Sequence, residues 1–170
     1  ARGQICVSCG AKHTLYNLAQ VLFEEGDEVI IPSPYWVSYP DIVVLTGAKA
    51  VILETKASQG FRIQPEKLEA AINARTRAVI INSPSNPSGV AYNPAELEKL
   101  AEVLLKKEVL VISDDIYEKI LYDHQPFANV ATVNAAMKDL TVVVNGLSKS
   151  HAMTGWRIGY AAGPADIIAA

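Results

Sequence analysis

Short apolar runs alternate with amphipathic segments along almost the whole of this 170-residue chain. Each run is rich in Val and Ile and is bounded by Gly, Pro, Asn, Asp or Ser, which is typical of strands buried on both faces of a sheet. The predicted strands are residues 28–31, 50–53, 78–82, 109–113, 141–144 and 158–162. Strands that alternate with helices in this way predict an α/β fold, a three-layer sandwich around a mostly parallel central sheet.

Four segments between these runs carry apolar residues at helical spacing, and they are predicted as helices at residues 11–25, 36–46, 65–74 and 94–107. The last has the clearest start, because Asn93 can cap its first turn and Pro94 suits the first helical position. No internal repeat or clear linker interrupts the pattern, so residues 1–170 are expected to belong to one domain.

Charge and hydropathy exclude several classes of partner. The net charge of −3 gives no basic footprint for nucleic acid. No apolar run reaches the ~18 residues that a membrane-spanning helix needs. The first residues lack the charged-then-apolar pattern of a secretory signal. The sequence therefore predicts a cytoplasmic protein that binds neither nucleic acid nor membrane.

The cysteines and histidines give no support for a metal site. Cys6 and Cys9 form a lone C-x-x-C, which we interpret as two buried, inert thiols, with a redox pair as the alternative. His13, His124 and His151 have no metal-ligand spacing and are predicted to be surface or packing residues.

Polar, aromatic and turn-forming residues are concentrated just after the predicted strands. In open α/β sheets, ligands bind beyond the carboxyl ends of the strands. The segments in that position are residues 32–36, 82–89, 114–117 and 145–149. We therefore expect a functional site to be assembled from these segments.

Lys149 follows the predicted strand 141–144 within a turn of small residues, and Arg157 lies eight positions later. A desolvated lysine amine is a nucleophile, and an arginine can hold a phosphate with paired donors. A lysine and a phosphate anchor are what a pyridoxal 5′-phosphate (PLP) enzyme requires. The alternative is that both are surface residues of a loop that enters a helix.

Three other residues could serve the same cofactor. A carboxylate at the position of Asp114 needs a positive partner, and a protonated pyridine nitrogen would be one, although Asp114 could instead cap a helix beginning near Ile116. Tyr117 could reach the oxygen of the cofactor ring or be a half-buried aromatic residue. Asn86, held before Pro87, could donate to the same oxygen, or its segment could be only a rigid turn.

Two further segments have both a functional and a structural interpretation. Gly10, Ala11 and Lys12 open the first predicted helix, whose N-terminal N–H groups favour a phosphate, although an ordinary helix cap is the commoner meaning and the Lys12 side chain is expected to face solvent. Trp36 could stack on a flat ring or simply pack. Neither G-x-G-x-x-G nor G-x-x-x-x-G-K-[ST] occurs, so dinucleotide and Walker-type sites have no support.

Four segments, taken in order, resemble the class I/II aminotransferases of PLP fold type I, the aspartate aminotransferase family. Their local sequences are most similar to the prokaryotic branch of that family. They are residues 10–12, residues 32–40, the N-x-P-x-N-P-x-G segment at 82–89, and residues 148–160. An S-D-x-x-Y sequence at residues 113–117 strengthens the match, and the resemblance covers nearly all of the chain.

The resemblance implies a role for each candidate residue. Lys149 would carry PLP as the internal aldimine and later move the substrate proton, and Asp114 would pair with the pyridinium nitrogen. The remaining implied cofactor contacts are Tyr117 and Asn86 at the ring oxygen, Trp36 on the ring face, and Gly10, Ala11, Lys12, Ser148 and Arg157 at the phosphate. Two positions depart from the family pattern, since Asp115 stands where Glu is common and Cys9 where a polar or small residue is frequent.

The implied activity is transfer of an amino group from an L-amino acid, aspartate or a similar one, to a 2-oxo acid such as 2-oxoglutarate, by a homodimer. C–S lyases and decarboxylases of the same fold type share this cofactor constellation, so they are alternatives. Residues 1–170 are expected to be a fragment of the PLP-binding large domain, without the family's N-terminal segment and C-terminal small domain. A catalytically inactive PLP-binding core is therefore a further alternative.

Overall fold

One mixed sheet organises the computed structural model, which describes residues 1–170. Its strands are β1 (Ile5–Ser8), β2 (Glu28–Ser33), β3 (Lys49–Glu54), β4 (Thr76–Asn82), β5 (Leu110–Asp114), β6 (Thr141–Gly146) and β7 (Gly159–Ala162). The order across the sheet is β1-β7-β6-β5-β4-β2-β3. Strands β3, β2, β4, β5 and β6 are parallel, and β7 is antiparallel to both of its neighbours, β6 and β1. The predicted α/β fold with a mostly parallel sheet is confirmed.

Helices connect the strands and cover the sheet. They are α1 (Ala11–Leu22), α2 (Ser38–Val44), α3 (Pro65–Ala71), α4 (Pro94–Lys107), α5 (Val130–Val133), α6 (Leu147–Ser150) and α7 (Ala165–Ala169). The first ends three residues earlier than predicted, because Phe23 is extended and its side chain enters the core. None of the helices combines the length and the apolar character that crossing a membrane requires.

The start of α4 follows the local chemistry of its sequence. The Asn93 side chain accepts a hydrogen bond from the Glu96 N–H at 3.0 Å, and the Glu96 carboxylate accepts one from the Asn93 N–H at 2.9 Å. With Pro94 at the first helical position, this reciprocal pair satisfies N–H groups that otherwise lack partners.

Two apolar cores lie on opposite faces of the sheet, because successive residues of a strand point to opposite sides. In β2, Val29 and Ile31 pack with α1 and α2, whereas Ile30 packs with α3 and α4. Strand β4 repeats this division, with Ile80 on the first side and Ile81 on the second. Burial on both faces explains why these strands appear in the sequence as continuous apolar runs.

Strand β1 was not among the predicted strands. It is one of the two edge strands of the sheet and is largely exposed, with Ile5 54% and Val7 71% accessible to solvent. Cys6 in this strand and Cys9 after it are both exposed, so the prediction of two buried thiols is wrong. Cys6 lies in this edge strand and Cys9 in the bend between β1 and α1, and neither side chain belongs to the apolar cores of the sheet.

The strand directions bring several loops to one edge of the sheet. The carboxyl ends of β2, β4, β5 and β6 lie at the same edge because these strands are parallel. Strand β1 also ends there, and β7 begins there, since Gly159 pairs with both Ser8 and Gly146. The N-terminus of α1 therefore meets the loops that carry the candidate residues.

Candidate active site

A cavity of about 310 Å³ opens at this carboxyl edge, within the size range of small-molecule sites. The predicted site residues that line it are Ala11, Lys12, Trp36, Asn86, Asp114, Tyr117, Ser148, Lys149 and Arg157. Gly10, the remaining one, lies directly behind the Arg157 guanidinium, where a Cβ atom would overlap Nη2. The fold thus brings all ten predicted residues to one place.

Asp114, at the end of β5, is buried at the cavity wall. Its Oδ2 accepts a hydrogen bond from the Tyr39 hydroxyl at 2.6 Å, and its Oδ1 accepts one from the Ile116 N–H at 3.2 Å. Burial raises the pKa of Asp114, and the Tyr39 hydrogen bond opposes that rise. No cation lies within salt-bridge distance of this carboxyl. No helix begins near Ile116, where the chain forms a turn, so the alternative of a helix cap is wrong. Oδ1 instead accepts a hydrogen bond within that turn, while Oδ2 contacts Tyr39.

Asn82, the last residue of β4, connects Asp114 with Asn86. Its Nδ2 donates to the Asp114 backbone oxygen at 2.8 Å, and its Oδ1 accepts from the Asn86 N–H at 2.8 Å. The side-chain nitrogen of Asn86, Nδ2, donates to the Tyr117 hydroxyl at 3.5 Å. These contacts place the Asn86 and Tyr117 donors side by side on one wall of the cavity.

A cluster of hydrogen-bond donors lies at the N-terminus of α1. The first N–H groups of a helix have no partner within the helix, and Gly10 precedes them with φ of 84°. The Arg157 guanidinium lies against Gly10 and donates to the Thr154 carbonyl at 2.9 Å and to Ser148 Oγ at 3.4 Å. Positive charge and free N–H groups at one point favour an anion such as a phosphate.

Gly159 makes this close approach possible. A Cβ atom at Gly159 would overlap the backbone of Gly10 and Ala11. Strand β7 can begin against the N-terminus of α1 only because this residue has no side chain.

Lys149 and Lys12 both lie at the mouth of the cavity. Lys149, in α6, is exposed rather than desolvated as its strand-end position suggested, and its Nζ lies 5.8 Å from the centre of the Tyr117 ring. Lys12 is exposed as expected, with its Nζ 4.8 Å from the centre of the Trp36 ring. No carboxylate lies within salt-bridge distance of either amine.

Trp36 lies at the cavity and also packs against a neighbouring aromatic residue, so its position is compatible with both of the roles considered for it. It lines the cavity, and it also packs edge-to-face on Tyr39 with ring centres 5.3 Å apart and an 83° angle between the planes. This geometry is a favourable one for two aromatic rings.

Tyr39, Asn82 and Thr154 line the cavity but were not predicted as site residues. Tyr39 and Asn82 occur in segments that the sequence analysis singled out, yet their hydrogen bonds to Asp114 span 75 and 32 positions. Sequence spacing gives no signal for such contacts. The only available indication was that a buried carboxylate requires donors.

The whole chain, residues 1–170, matches the family described as aminotransferase class I and II, and the protein belongs to that family. Aspartate aminotransferase of Geobacillus stearothermophilus is 56% identical over 167 residues, and that of Bacillus subtilis 54%; each alignment covers 98% of this chain and 42% of the relative. A crystal structure of aspartate aminotransferase from Rhizobium meliloti superposes with a TM-score of 0.98 at 50% identity, covering 99% of this chain and 42% of that structure. The chain thus spans about two fifths of the length of these relatives. The family resemblance predicted from the sequence is confirmed.

Proposed function

We propose that this chain is the PLP-binding part of an aminotransferase that moves an amino group from an L-amino acid, aspartate or a similar one, to a 2-oxo acid such as 2-oxoglutarate. Family membership and the names of the relatives support the reaction and the substrate class. The observation that carries the proposal is the placement of three charged groups around one cavity: the buried Asp114, with Lys149 and Arg157 at the rim, none of them in a salt bridge.

The donor set fits PLP at both ends of the cavity. Asp114 is only 4% exposed and has no cationic partner, and a buried carboxylate is costly without one, which a protonated pyridine nitrogen would supply. At the other end, Arg157, Ser148 and the N-terminus of α1 offer the hydrogen bonds that a phosphate group requires.

When bound, PLP supplies an electron-accepting ring that stabilises negative charge at the substrate Cα. Asp114 would keep a proton on the ring nitrogen, because its carboxylate is most stable next to a positive charge. Asn86 and Tyr117 would donate hydrogen bonds to the ring oxygen, and the indole of Trp36 would cover a face of the ring.

The Lys149 amine is the proposed base for the proton at the substrate Cα. It lies at the mouth of the cavity near the Tyr117 ring, and no carboxylate ion pair holds it away from a substrate bound there. Arg157, Ser148 and the backbone N–H groups of Ala11 and Lys12 would anchor the phosphate and so fix the reacting atoms relative to Lys149.

The organisation of the whole protein is also a proposal. We place residues 1–170 in the PLP-binding large domain of a longer protein, and the supporting fact is that the chain spans 42% of its relatives. From the family resemblance, we propose that the whole protein is a cytoplasmic homodimer.

Borohydride reduction of the PLP-loaded protein tests the cofactor and its lysine together. We expect a visible absorption band with added PLP, and after reduction and peptide mapping a label on Lys149 that is lost in Lys149→Ala. A Lys106→Ala variant is the control, since Lys106 is exposed and paired with Glu69 on α3. Absence of a label, or a label on another lysine, would contradict the proposal.

Turnover assays then test the reaction. Aspartate and 2-oxoglutarate should give oxaloacetate and glutamate, and Lys149→Ala should reduce this rate to background. Pyruvate and ammonia formed from cystathionine without any 2-oxo acid would instead indicate a C–S lyase. A labelled protein that performs neither reaction would be an inactive PLP-binding core.

A further inference from the structure

Tyr39 is the only side chain that donates a hydrogen bond to the Asp114 carboxylate. Its ring is 3% exposed, and its hydroxyl lies 2.6 Å from Oδ2. The second donor to Asp114 is a backbone group, the Ile116 N–H, on the other oxygen. Tyr39 is therefore the one side chain through which substitution can change the hydrogen bonding of this carboxylate.

Two donors from different elements fix the rotation of the carboxylate. Tyr39 reaches Oδ2 from α2, whereas the Ile116 N–H reaches Oδ1 from the turn that follows β5. A carboxylate has about four lone-pair positions, so about two are left to accept further donors. Tyr39 also packs edge-to-face on Trp36, which lines the cavity. The same tyrosine therefore contacts a residue of the cavity wall and orients the Asp114 carboxylate.

Tyr39 is well suited to keep the carboxyl charged without neutralising it. Burial, followed by the nearby Asp114 charge, raises the pKa of Tyr39 well above its usual value, so the hydroxyl remains a donor. The other ionisable groups that line the cavity with Asp114 are Lys12, Tyr117, Lys149 and Arg157. The carboxyl of Asp115, the next residue in the chain, is bonded by Ser113 and Asn129 instead. A neutral donor stabilises the carboxylate and leaves its charge available for a cationic ligand.

We propose that Tyr39 is a positioning residue that holds Asp114 ionised and oriented to receive the ring nitrogen of the cofactor. This inference rests on the proposed PLP function. It adds a residue that acts through Asp114 and does not itself need to contact PLP.

The first test measures Asp114 itself in the cofactor-free, full-length protein, by NMR titration of ¹³C-labelled aspartate. Loss of one hydrogen bond to a charged group should raise the pKa of Asp114 by about one to two units in Tyr39→Phe. Tyr92→Phe is the matched control, because Tyr92 is also buried but its hydroxyl accepts from the Ile63 N–H at 2.9 Å. The titration of Asp114 should be unchanged in this control.

The second test measures the protonation of the cofactor with ¹⁵N-labelled PLP. In Tyr39→Phe, the ring nitrogen should carry its proton in a smaller fraction of molecules than in the wild type at neutral pH, because the more basic Asp114 takes a larger share of it, and kcat should fall about tenfold with little change in KM. Incorporation of 3-fluorotyrosine at position 39, which makes the hydroxyl a stronger donor without changing the packing greatly, should lower the pKa of Asp114. This variant supplies the test if Tyr39→Phe does not fold.

The outcomes separate the two proposals. If the wild type binds PLP normally but Asp114 titrates identically in all Tyr39 variants, the role of Tyr39 is overturned and the proposed function stands. If the wild type does not bind PLP, the proposed function fails and this inference fails with it. A shifted Asp114 titration together with a shifted ring-nitrogen titration supports the role.

Discussion

Ionisation of the buried Asp115 carboxyl should make the folded protein less stable as the pH rises. Asp115 is 1% exposed, and its oxygens accept hydrogen bonds from Ser113 Oγ and Asn129 Nδ2, each at 2.8 Å. No cation lies within salt-bridge distance. Burial raises the pKa of Asp115 from 3.8 to about 7; the two hydrogen bonds oppose this rise, and the charges of Asp114 and Glu118 add to it.

The sign and size of the effect follow from proton binding. In the unfolded chain the carboxyl loses its proton near pH 3.8, whereas in the folded chain it keeps the proton up to pH about 7. Between these values the folded state binds more protons, so its stabilisation is complete below the lower value and is lost as the pH rises through the upper one. A difference of about 3 units corresponds to about 4 kcal/mol in the free energy of unfolding, most of it lost by pH ~7.5.

Urea unfolding of the cofactor-free protein between pH 5 and 7.5 measures this loss. Over that interval the wild type should lose about 2.5 kcal/mol more than Asp115→Asn. Substitution by Asn also changes the hydrogen bonds to Ser113 and Asn129, which shifts the free energy of unfolding by a similar amount at every pH. The comparison is therefore made between the slopes of the free energy of unfolding against pH. Asp139→Asn removes an exposed carboxyl and is the control for one lost charge. Parallel pH profiles of wild type and Asp115→Asn would refute the reasoning.

Two further substitutions test the local geometry. Gly159→Ala should lower the free energy of unfolding by about 1–3 kcal/mol and weaken PLP binding, because its Cβ would overlap the backbone at the start of α1. Thermal melting and PLP titration measure this, with Gly3→Ala as a control since a Cβ there meets no atom within 4 Å; equal losses in both variants would contradict the explanation. Asn93→Ala should cost about 1 kcal/mol in urea unfolding through loss of the α4 cap, and Asn93→Ser should restore most of it. A cost that Asn93→Ser does not recover would argue against capping.

The central strands could be predicted from the sequence because a strand that is buried on both faces consists of a continuous run of apolar residues. β4 and β5 were predicted to within two residues at each end, and α4 with its cap was predicted in full. The edge strand β1 was not predicted, because it has only four residues and its side chains are largely exposed. Its place in the sheet depends on antiparallel pairing with β7, about 150 positions away, and no local pattern encodes that contact.

Six of the ten candidate residues could be located from sequence because they follow predicted strands, and parallel strands bring their carboxyl ends to one edge. The other four were found at the start of the first helix and eight positions after Lys149, and all ten meet at one cavity. Their chemical roles stay predictions. What the sequence could not supply is which side chains from different elements touch, and the Tyr39–Asp114 hydrogen bond is the clearest case.

Physical chemistry nevertheless constrained Asp114 before its neighbours were known. A buried carboxylate requires donors, a cation or both, and the fold provides two neutral donors and no cation. Those two hydrogen bonds do not offset its desolvation, since burial still raises the pKa of Asp114. A carboxyl left in this condition is stabilised further by any cation that enters the cavity beside it, and a protonated ring nitrogen is a cation of suitable shape. The incomplete pairing of Asp114 in the protein alone is therefore the strongest physical reason to expect PLP in this cavity.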